Sequence, residues 1–412
     1  MALYDIAVVG AGPAGAMSAI RAGRHNKAVA LIERNNAIGK KILLSGRGRC
    51  NVTNIAPLSD FIVRFGRQGE FLRTAFSKFF NQELIDFFKV KGLELKIERQ
   101  GRVFPVTDKA ISIVEVLKIY LQENKTACLY NKQVIEIKKD NGLFRLFLDT
   151  KEEIVARKVI LASGGMSFRA TGSTGDGFVI AKKLGHSIAA LMPGLVPLRA
   201  KESWVKELQG LTLKNIRFTL RADKKKIVSN TGELLFTHFG VSGPLVLDLS
   251  SEALDLLKGR KEIRMNIDLK PGLSPEQLEN RLVREFRLAG NKNARNIMKE
   301  ILPLRFIKVF LNLAAIDSSK QANQITQAER RKIIDLLKLF SLHIVGSLPI
   351  EEAMVTCGGV SIKEINPRTM ESRIVPGLYF CGEIIDASAP SGGYNLQQAF
   401  STGYLAGESA AE

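Results

Sequence analysis

The sequence predicts an α/β protein: a Rossmann-like domain of the two-dinucleotide-binding type, interrupted by an inserted β domain and a small helical domain. Three observations lead there. A strand–turn–helix–strand pattern with Gly-x-Gly-x-x-Gly spacing lies at residues 5–33. Between residues 191 and 346 the patterning changes to short strands and capped helices. After that change come a strand ending in Gly-acid and a helix led by two glycines. The expected boundaries are 1–190 for the first part of the nucleotide-binding domain, 191–272 for the inserted β domain and 273–335 for the helical domain. Residues 336–346 return through the β domain, and 347–412 complete the first domain.

The opening stretch carries the most information. Ile6 to Val9 form a buried-type strand, Ala14 to Arg24 can make a helix, and Val29 to Ile32 form a second strand ending on an acid, Glu33; the adjacent Pro13 and Arg34 are counted with the cofactor-binding residues. The three glycines act sterically. Gly10 permits the tight turn, Gly12 lets backbone approach a pyrophosphate at a helix N-terminus, and Gly15 lets that helix pack closely on the strand. A lone fingerprint of this kind is weak, but here it follows a strand, opens a helix and has an acid about 20 residues on. An acid at position 33 suits a ribose with both hydroxyls free, hence FAD or NAD rather than NADP.

At 412 residues the chain exceeds the size of a single core, so two or three domains are expected. With 45% hydrophobic and 25% charged residues it reads as globular, and no apolar run approaches the 18 or so residues of a membrane span. The first strand is entered without a basic n-region, which predicts a cytoplasmic protein without a signal peptide. Cys50, Cys128, Cys357 and Cys381 form no Cys-x-x-Cys pair, and His25, His186, His238 and His343 are scattered, so neither a redox disulfide nor a metal site is expected. The net charge of +19 favours anionic partners. The cations are spread out, with short clusters at Lys224–Lys226 and Arg330–Lys332. They read as a solvated surface rather than a nucleic-acid site. No pattern sets the oligomeric state.

Beyond Arg34 the elements follow in order. Residues 38–54 form a loop rich in glycine and basic side chains, in which Lys41, Ser45, Gly46, Arg49, Cys50 and Asn51 are placed to meet a pyrophosphate or flavin. Asn81 caps a helix to about Lys91, and Thr107-Asp108 starts another. Short strands follow at 128–130, 133–138 and 143–148, and the backbone at Val134 is placed to meet an adenine. The strand 158–162 runs into Ser163-Gly164-Gly165, where two glycines let the chain pass close to a cofactor. The insertion has strand-like runs at 216–221, 234–237 and 263–269, then capping boxes at Ser274–Gln277 and Thr326–Glu329. It holds 27 Lys/Arg against 16 Asp/Glu and is expected to wall a substrate cleft. Finally, residues 377–386 give a buried strand ending in Gly382-Glu383, with Asp386 near the ribityl-pyrophosphate. Gly392-Gly393 then open a helix whose first amides, around Gly393, Tyr394, Asn395 and Leu396, face the flavin pyrimidine. An N-terminal fingerprint paired with this C-terminal arrangement points to FAD rather than NAD.

Several blocks together resemble a known family: Gly39-Lys40-Lys41 with Ser45-Gly46-x-Gly48-Arg49-Cys50-Asn51, Thr171–Gly177 with Leu184-Gly185-His186, Gly240–Pro244, and residues 356–396. The chain resembles the bacterial BaiN/RdsA-type NAD(P)/FAD-dependent oxidoreductases, which include aminoacetone-oxidase-like flavoproteins. The resemblance covers nearly the whole chain. It departs at Ala387-Ser388-Ala389, where Val-Asp-Gly is common, and at Gln398, where Trp is common. It implies an FAD-dependent oxidoreductase passing a hydride between a small organic substrate, for which the positive charge admits an anionic one, and flavin N5. NAD(P)H, as a transient donor lacking its own fingerprint, or O2 would be the redox partner. Arg49, Cys50, Tyr394 and Asn395 are expected nearest the ring, and none is identifiable as a catalytic acid or base. The alternatives are a flavin-dependent RNA-modifying protein and an FAD-binding protein without turnover.

The protein is therefore expected to purify with FAD, and Glu33→Arg to weaken its binding by opposing the ribose contact. Acid-released cofactor identified as FMN, or no cofactor after reconstitution, would contradict this.

Overall fold

The computed structural model describes residues 3–289 and 292–412. The chain forms two compact units, Met1–Gly194 with Ile350–Glu412, and Leu195–Pro349.

The first unit is built on a sheet whose centre is parallel. The fingerprint strand Leu3–Val9 pairs in parallel with Val29–Ile32 on one side and Glu153–Leu161 on the other, and Ala127–Leu129 extends the sheet beyond Val29–Ile32. The nine-residue strand Glu153–Leu161 is shared. Its first half pairs antiparallel with Leu143–Leu148, part of a hairpin with Val134–Asp140, and its last residues pair in parallel with Leu378–Phe380. That pairing brings a strand from beyond the insertion beside one from before it. The central strands are buried on both faces, as their unbroken Val/Ile/Leu/Ala runs require.

The fingerprint helix Pro13–Gly23 is made almost wholly of small residues, and nine of its 11 are buried, so it packs on every side. One neighbour is the turn before it: a Cβ on Gly15 would lie 1.8 Å from the Gly10 carbonyl oxygen. The other is the terminal helix Tyr394–Ala411. A Cβ on Gly403 would lie 2.3 Å from the Ala14 carbonyl oxygen, and one on Gly407 2.4 Å from that of Ser18. The two helices thus touch backbone to backbone over successive turns, because glycines four apart share a helix face.

Two local expectations shift. The predicted cap Asn81 is instead the first residue of the helix Asn81–Lys89. Its side chain donates to the carbonyls of Asn54 (2.8 Å) and Ala56 (3.1 Å), and Glu83 reaches back to the Phe80 amide at 3.0 Å. The helix expected from Thr107-Asp108 begins at Ala110 and runs to Glu123. Pro193, just past the expected boundary at residue 190, is paired with Thr356 in a two-stranded antiparallel ribbon, Ile188–Gly194 with Val355–Val360, inside the first unit.

The second unit contains a barrel. Thr212–Ala222, Gly232–Thr237, Gly240–Ser242, Leu198–Ala200, Phe340–Ser347 and Ile263–Asp268 pair in that order, and Ile263–Asp268 pairs back onto Thr212–Ala222. Lys225–Val228 is added outside as a hairpin partner of Thr212–Ala222. Phe218, Leu220, Phe236, Met265 and Phe340 fill the core with Phe306 and Phe310 of the helix Leu304–Leu313. Pro275–Ala289 and Gln327–Lys338 start where the capping boxes lie: Ser274 and Gln277 bond reciprocally (2.9 and 3.2 Å), as do Thr326 and Glu329 (2.8 and 3.2 Å).

Because the backbone of the fingerprint helix is touched directly, Gly407→Ala should overpack the contact at Ser18 and lower stability by about 1–3 kcal/mol. Urea unfolding of the variant checks this; unchanged stability would mean the two helices can separate at no cost.

Candidate functional site

Three strand ends of the first unit converge at the start of the fingerprint helix. A Cβ on Gly10 would lie 2.7 Å from the Ala162 carbonyl oxygen, so the loop after Glu153–Leu161 runs against the fingerprint turn. A Cβ on Gly382 would lie 2.7 Å from that of Ala14, which brings the end of Leu378–Phe380 to the same place. Pro13 occupies the first helical position, where no donor is lost. Gly12 differs from its neighbours. A Cβ there would have nothing within 4 Å, so the helix N-terminus presents an open face on this side.

Glu33 is 8% exposed and held by the loop around it. It accepts from the Ala11 amide at 2.8 Å, from the Asn35 amide at 2.9 Å and from Asn35 Nδ2 at 2.6 Å. A carboxylate offers about four lone-pair directions, so capacity for a further donor remains. The Thr171–Gly177 block secures this corner: Arg34 donates to Asp176 (2.8 Å), Thr174 and Gln133 (3.0 Å), and Asn35 donates to the Thr171 carbonyl at 2.9 Å. Arg34 is thereby a brace between segments. Val134 is buried one residue beyond Gln133, paired with Leu148. The Lys132 amide donates to the Glu33 carbonyl at 3.0 Å. Tyr130 lies within the field of Glu33, and burial, with Cys128 and Glu33 adding to it, pushes its phenol up to about 12.

A second carboxylate is fixed at the converging strand ends. Glu383 accepts from Lys41 Nζ at 2.6 Å, Ser167 Oγ at 2.9 Å and the Thr356 amide at 2.8 Å, and Lys41 also donates to Ser167 at 2.7 Å. Four distant segments meet there. Gly165 makes room: its Cβ would lie 2.3 Å from Thr356 Oγ1. Gly164 has φ 76°. Ser163 Oγ is buried beside Gly177, with no hydrogen-bond partner among the described residues.

In the loop 40–54 the flagged side chains make contacts within the chain. Lys40–Leu44 is a short helix, and the Ser45 hydroxyl donates to the Ile42 carbonyl at 2.6 Å. Gly46 is left-handed, and its Cβ would lie 2.9 Å from the Asn51 amide nitrogen. Arg49, expected near a flavin ring, pairs with Glu98 and donates to Asp108 (2.8 Å) while lying over the Phe104 ring at 4.2 Å. Cys50, expected there too, is fully buried, and burial pushes its thiol up to about 12. It is an inert packing residue. Asn51 accepts from the Val103 amide at 3.2 Å. Asn51 and Arg49 thereby tie the loop to the small sheet Thr53–Asn54, Arg102–Pro105 and Leu95–Ile97.

At the start of the terminal helix, Gly393 has φ 98°, and a Cβ on it would lie 2.3 Å from the Thr53 carbonyl oxygen, so no other residue fits. The Gly-Gly pair is a fixed corner. Tyr394 is 6% exposed, its ring 4.6 Å from Phe61. Asn395 closes the preceding loop, accepting from the Ala389 amide (2.9 Å) and donating to the Ala389 carbonyl (2.7 Å). Leu396 is half-buried. Asp386 is half-buried without a side-chain hydrogen bond among the described residues, and burial holds its carboxyl above the ordinary range.

Sequence reasoning missed Asn35, Gln133, Ser167 and Thr356. Asn35 follows Arg34 directly and Ser167 follows Gly165 by two, so proximity to a flagged residue was the available signal. Gln133 and Thr356 enter through tertiary contacts alone.

These features define a Rossmann-type fold of the FAD-binding class, with an acid at the second strand end and an open glycine at the helix N-terminus. The chain belongs to the family of HI0933-like protein Rossmann domains, whose model matches residues 4–409; the resemblance read from the sequence is borne out. The family is one of flavin-dependent oxidoreductases. The chain is 32% identical over 409 residues, 99% of each protein, to the 3-dehydro-bile acid delta(4,6)-reductase of Clostridium scindens. It is 30% identical to the ribosomal RNA dihydrouridine synthase of Escherichia coli, covering 98% of this chain and 97% of that one. In fold it is similar to a flavocytochrome c3 fumarate reductase (TM-score 0.53, 16% identity, 99% of this chain and 78% of that one). It is also similar to a 3-ketosteroid-delta4-(5alpha)-dehydrogenase from Rhodococcus jostii (TM-score 0.52, 15% identity, 100% and 97%). Among the described residues no helix is long and apolar enough to cross a membrane, and no cluster of side chains could hold a metal.

Asp386 sets a pH dependence. A carboxyl raised on folding adds stability below its unfolded pKa, and this is lost as pH rises through the folded value. Asp386→Asn should therefore match wild type near pH 3 and be the more stable protein at pH 7. Urea titrations at both pH values decide it; a variant less stable at pH 7 would mean the carboxylate has a partner.

Proposed function

We propose that this protein is an FAD-dependent oxidoreductase that transfers a hydride between flavin N5 and a small organic substrate. The observation that carries the reading is the open face at Gly12, at the N-terminus of an 11-residue helix, with the fixed carboxylate of Glu33 at the neighbouring strand end. The orphaned, buried Ser163 hydroxyl at the same junction is a further group suited to a polar ligand. When bound, FAD would supply hydride transfer through its N5. The chain's own groups would bind and orient it: the backbone at Gly12 and the helix N-terminus for the pyrophosphate, Glu33 for the adenosine ribose, and Glu383, held by Lys41, Ser167 and Thr356, for the ribityl side. The first amides of Tyr394–Ala411 would face the flavin pyrimidine and favour negative charge there. Asp386, its carboxyl raised by burial, holds a proton to higher pH than an exposed aspartate and is suited to proton exchange.

The name of the Clostridium relative, a reductase of a 3-dehydro-bile acid, supports reduction of a small molecule. NAD(P)H or O2 is the proposed redox partner, with NAD(P)H binding transiently. A second reading, flavin-dependent RNA modification, is favoured by the +19 charge and by the name of the Escherichia coli relative.

Gly12→Ala tests the cofactor reading with little risk to the fold, because its Cβ meets open space and its φ of −71° suits alanine. The variant should melt as wild type does while flavin fluorescence titration shows FAD affinity reduced about tenfold or more, the loss of about 1–2 kcal/mol of charge-assisted hydrogen bonding. Full affinity in a folded variant would overturn the reading. Stopped-flow mixing of the wild type with NADH, NADPH and a panel of amines and ketones then identifies the donor.

A further inference from the structure

The second unit holds 27 Lys/Arg against 16 Asp/Glu, and the barrel's strand register determines where some of them go. Arg221 lies directly opposite Lys226 on one neighbouring strand and Arg264 on the other, and Arg264 lies opposite His343. Residues directly opposite in antiparallel strands share a face. Arg221, Lys226 and Arg264 are all exposed, so they form a row across three strands on the outside of the barrel. Arg217 stands four residues along Thr212–Ala222 on the same exposed face. None of these four side chains has a hydrogen bond or ion pair among the described residues. Nearby acids are engaged elsewhere: Glu262 with Lys201 (2.7 Å), although it feels the charge of Arg264, Glu202 with His343 (2.8 Å), Asp268 with Lys338 (2.6 Å) and Asp223 with Arg260 (2.7 Å).

Like charges directly opposite one another destabilise a sheet, so an unpaired row of this kind is a cost to the free barrel. A polyanion laid across it would relieve that cost. We propose that this outer face of the barrel is a docking surface for the phosphate backbone of a nucleic acid. Strands lie about 4.8 Å apart, so the row spans roughly 10 Å, the length that carries about three phosphates of one strand. The contacts are to phosphate, so they position a nucleic acid without reading its sequence. The inference goes beyond the proposed flavin chemistry, and binding is measurable apart from turnover.

The test is fluorescence anisotropy of a labelled oligouridylate of about 20 nucleotides with the FAD-reconstituted full chain over a range of salt concentrations. Binding should weaken with salt. The triple variant Arg221→Ala, Lys226→Ala, Arg264→Ala should bind about tenfold or more weakly at low salt, with a salt slope shallower by about two. Its melting temperature should equal or exceed that of wild type, since repulsion has been removed. Lys78→Ala, Lys182→Ala, Lys363→Ala removes three exposed, unpaired cations from the first unit and should leave binding unchanged. No binding by wild type, equal loss in both variants, or binding to phosphatidylserine vesicles in place of the oligonucleotide would overturn the proposal. Oligonucleotide binding without any RNA product would leave the docking surface standing and remove only the RNA-modifying reading of the flavin site.

Discussion

The contact on which the first unit depends is that of two backbones. Gly403 and Gly407 bring the terminal helix against the carbonyls of Ala14 and Ser18, with no side chain between. Dispersion per atom pair is small and accumulates only where surfaces fit closely, so this contact favours one position of the helix over any sliding neighbour. Everything that converges near Gly12 inherits its place from it. The terminal helix fixes where Gly393 turns, and Thr402 Oγ1, on the same helix, accepts from the Gly382 amide at 2.9 Å. Gly382 in turn abuts Ala14.

Two carboxylates are treated alike on this frame. Glu33 and Glu383 are each surrounded by donors from the chain itself, backbone amides in both cases and an ammonium and a hydroxyl in the second. Several donors converging on one carboxylate fix its direction. Asp386 is the opposite case, half-buried without such donors among the described residues, so its charged form is penalised.

The parts of this architecture that depend on local chemistry were legible in the sequence. The glycine spacing, the strand ending at Glu33, both capping boxes and the Gly-Gly start of the terminal helix are decided by sterics and hydrogen bonding within a few residues. The burial of Cys50 and the contacts of Arg49 and Asn395 within the chain were not legible for a single reason: a polar residue in a glycine-rich loop looks the same whether it faces a ligand or ties the loop down. Arg49 turns to Glu98 and Asp108, far along the chain, and no local pattern announces that choice. Cation placement on the barrel was equally hidden. Arg221 and Arg264 are 43 positions apart and become neighbours only through strand register.

The shared strand Glu153–Leu161 has a consequence for synthesis. Its last residues and the fingerprint helix both need partners from Ile350–Glu412, which the ribosome makes only after all of Leu195–Pro349. At about 5–20 residues per second that interval is on the order of 10 s or more. During it the barrel can close on its own contacts, while the nascent nucleotide-binding half waits with an apolar strand edge and a small-residue helix face unburied. Such surfaces are what chaperones bind. Yield in cells should therefore respond to chaperone supply and to translation speed across the insertion, independently of the stability of the finished protein.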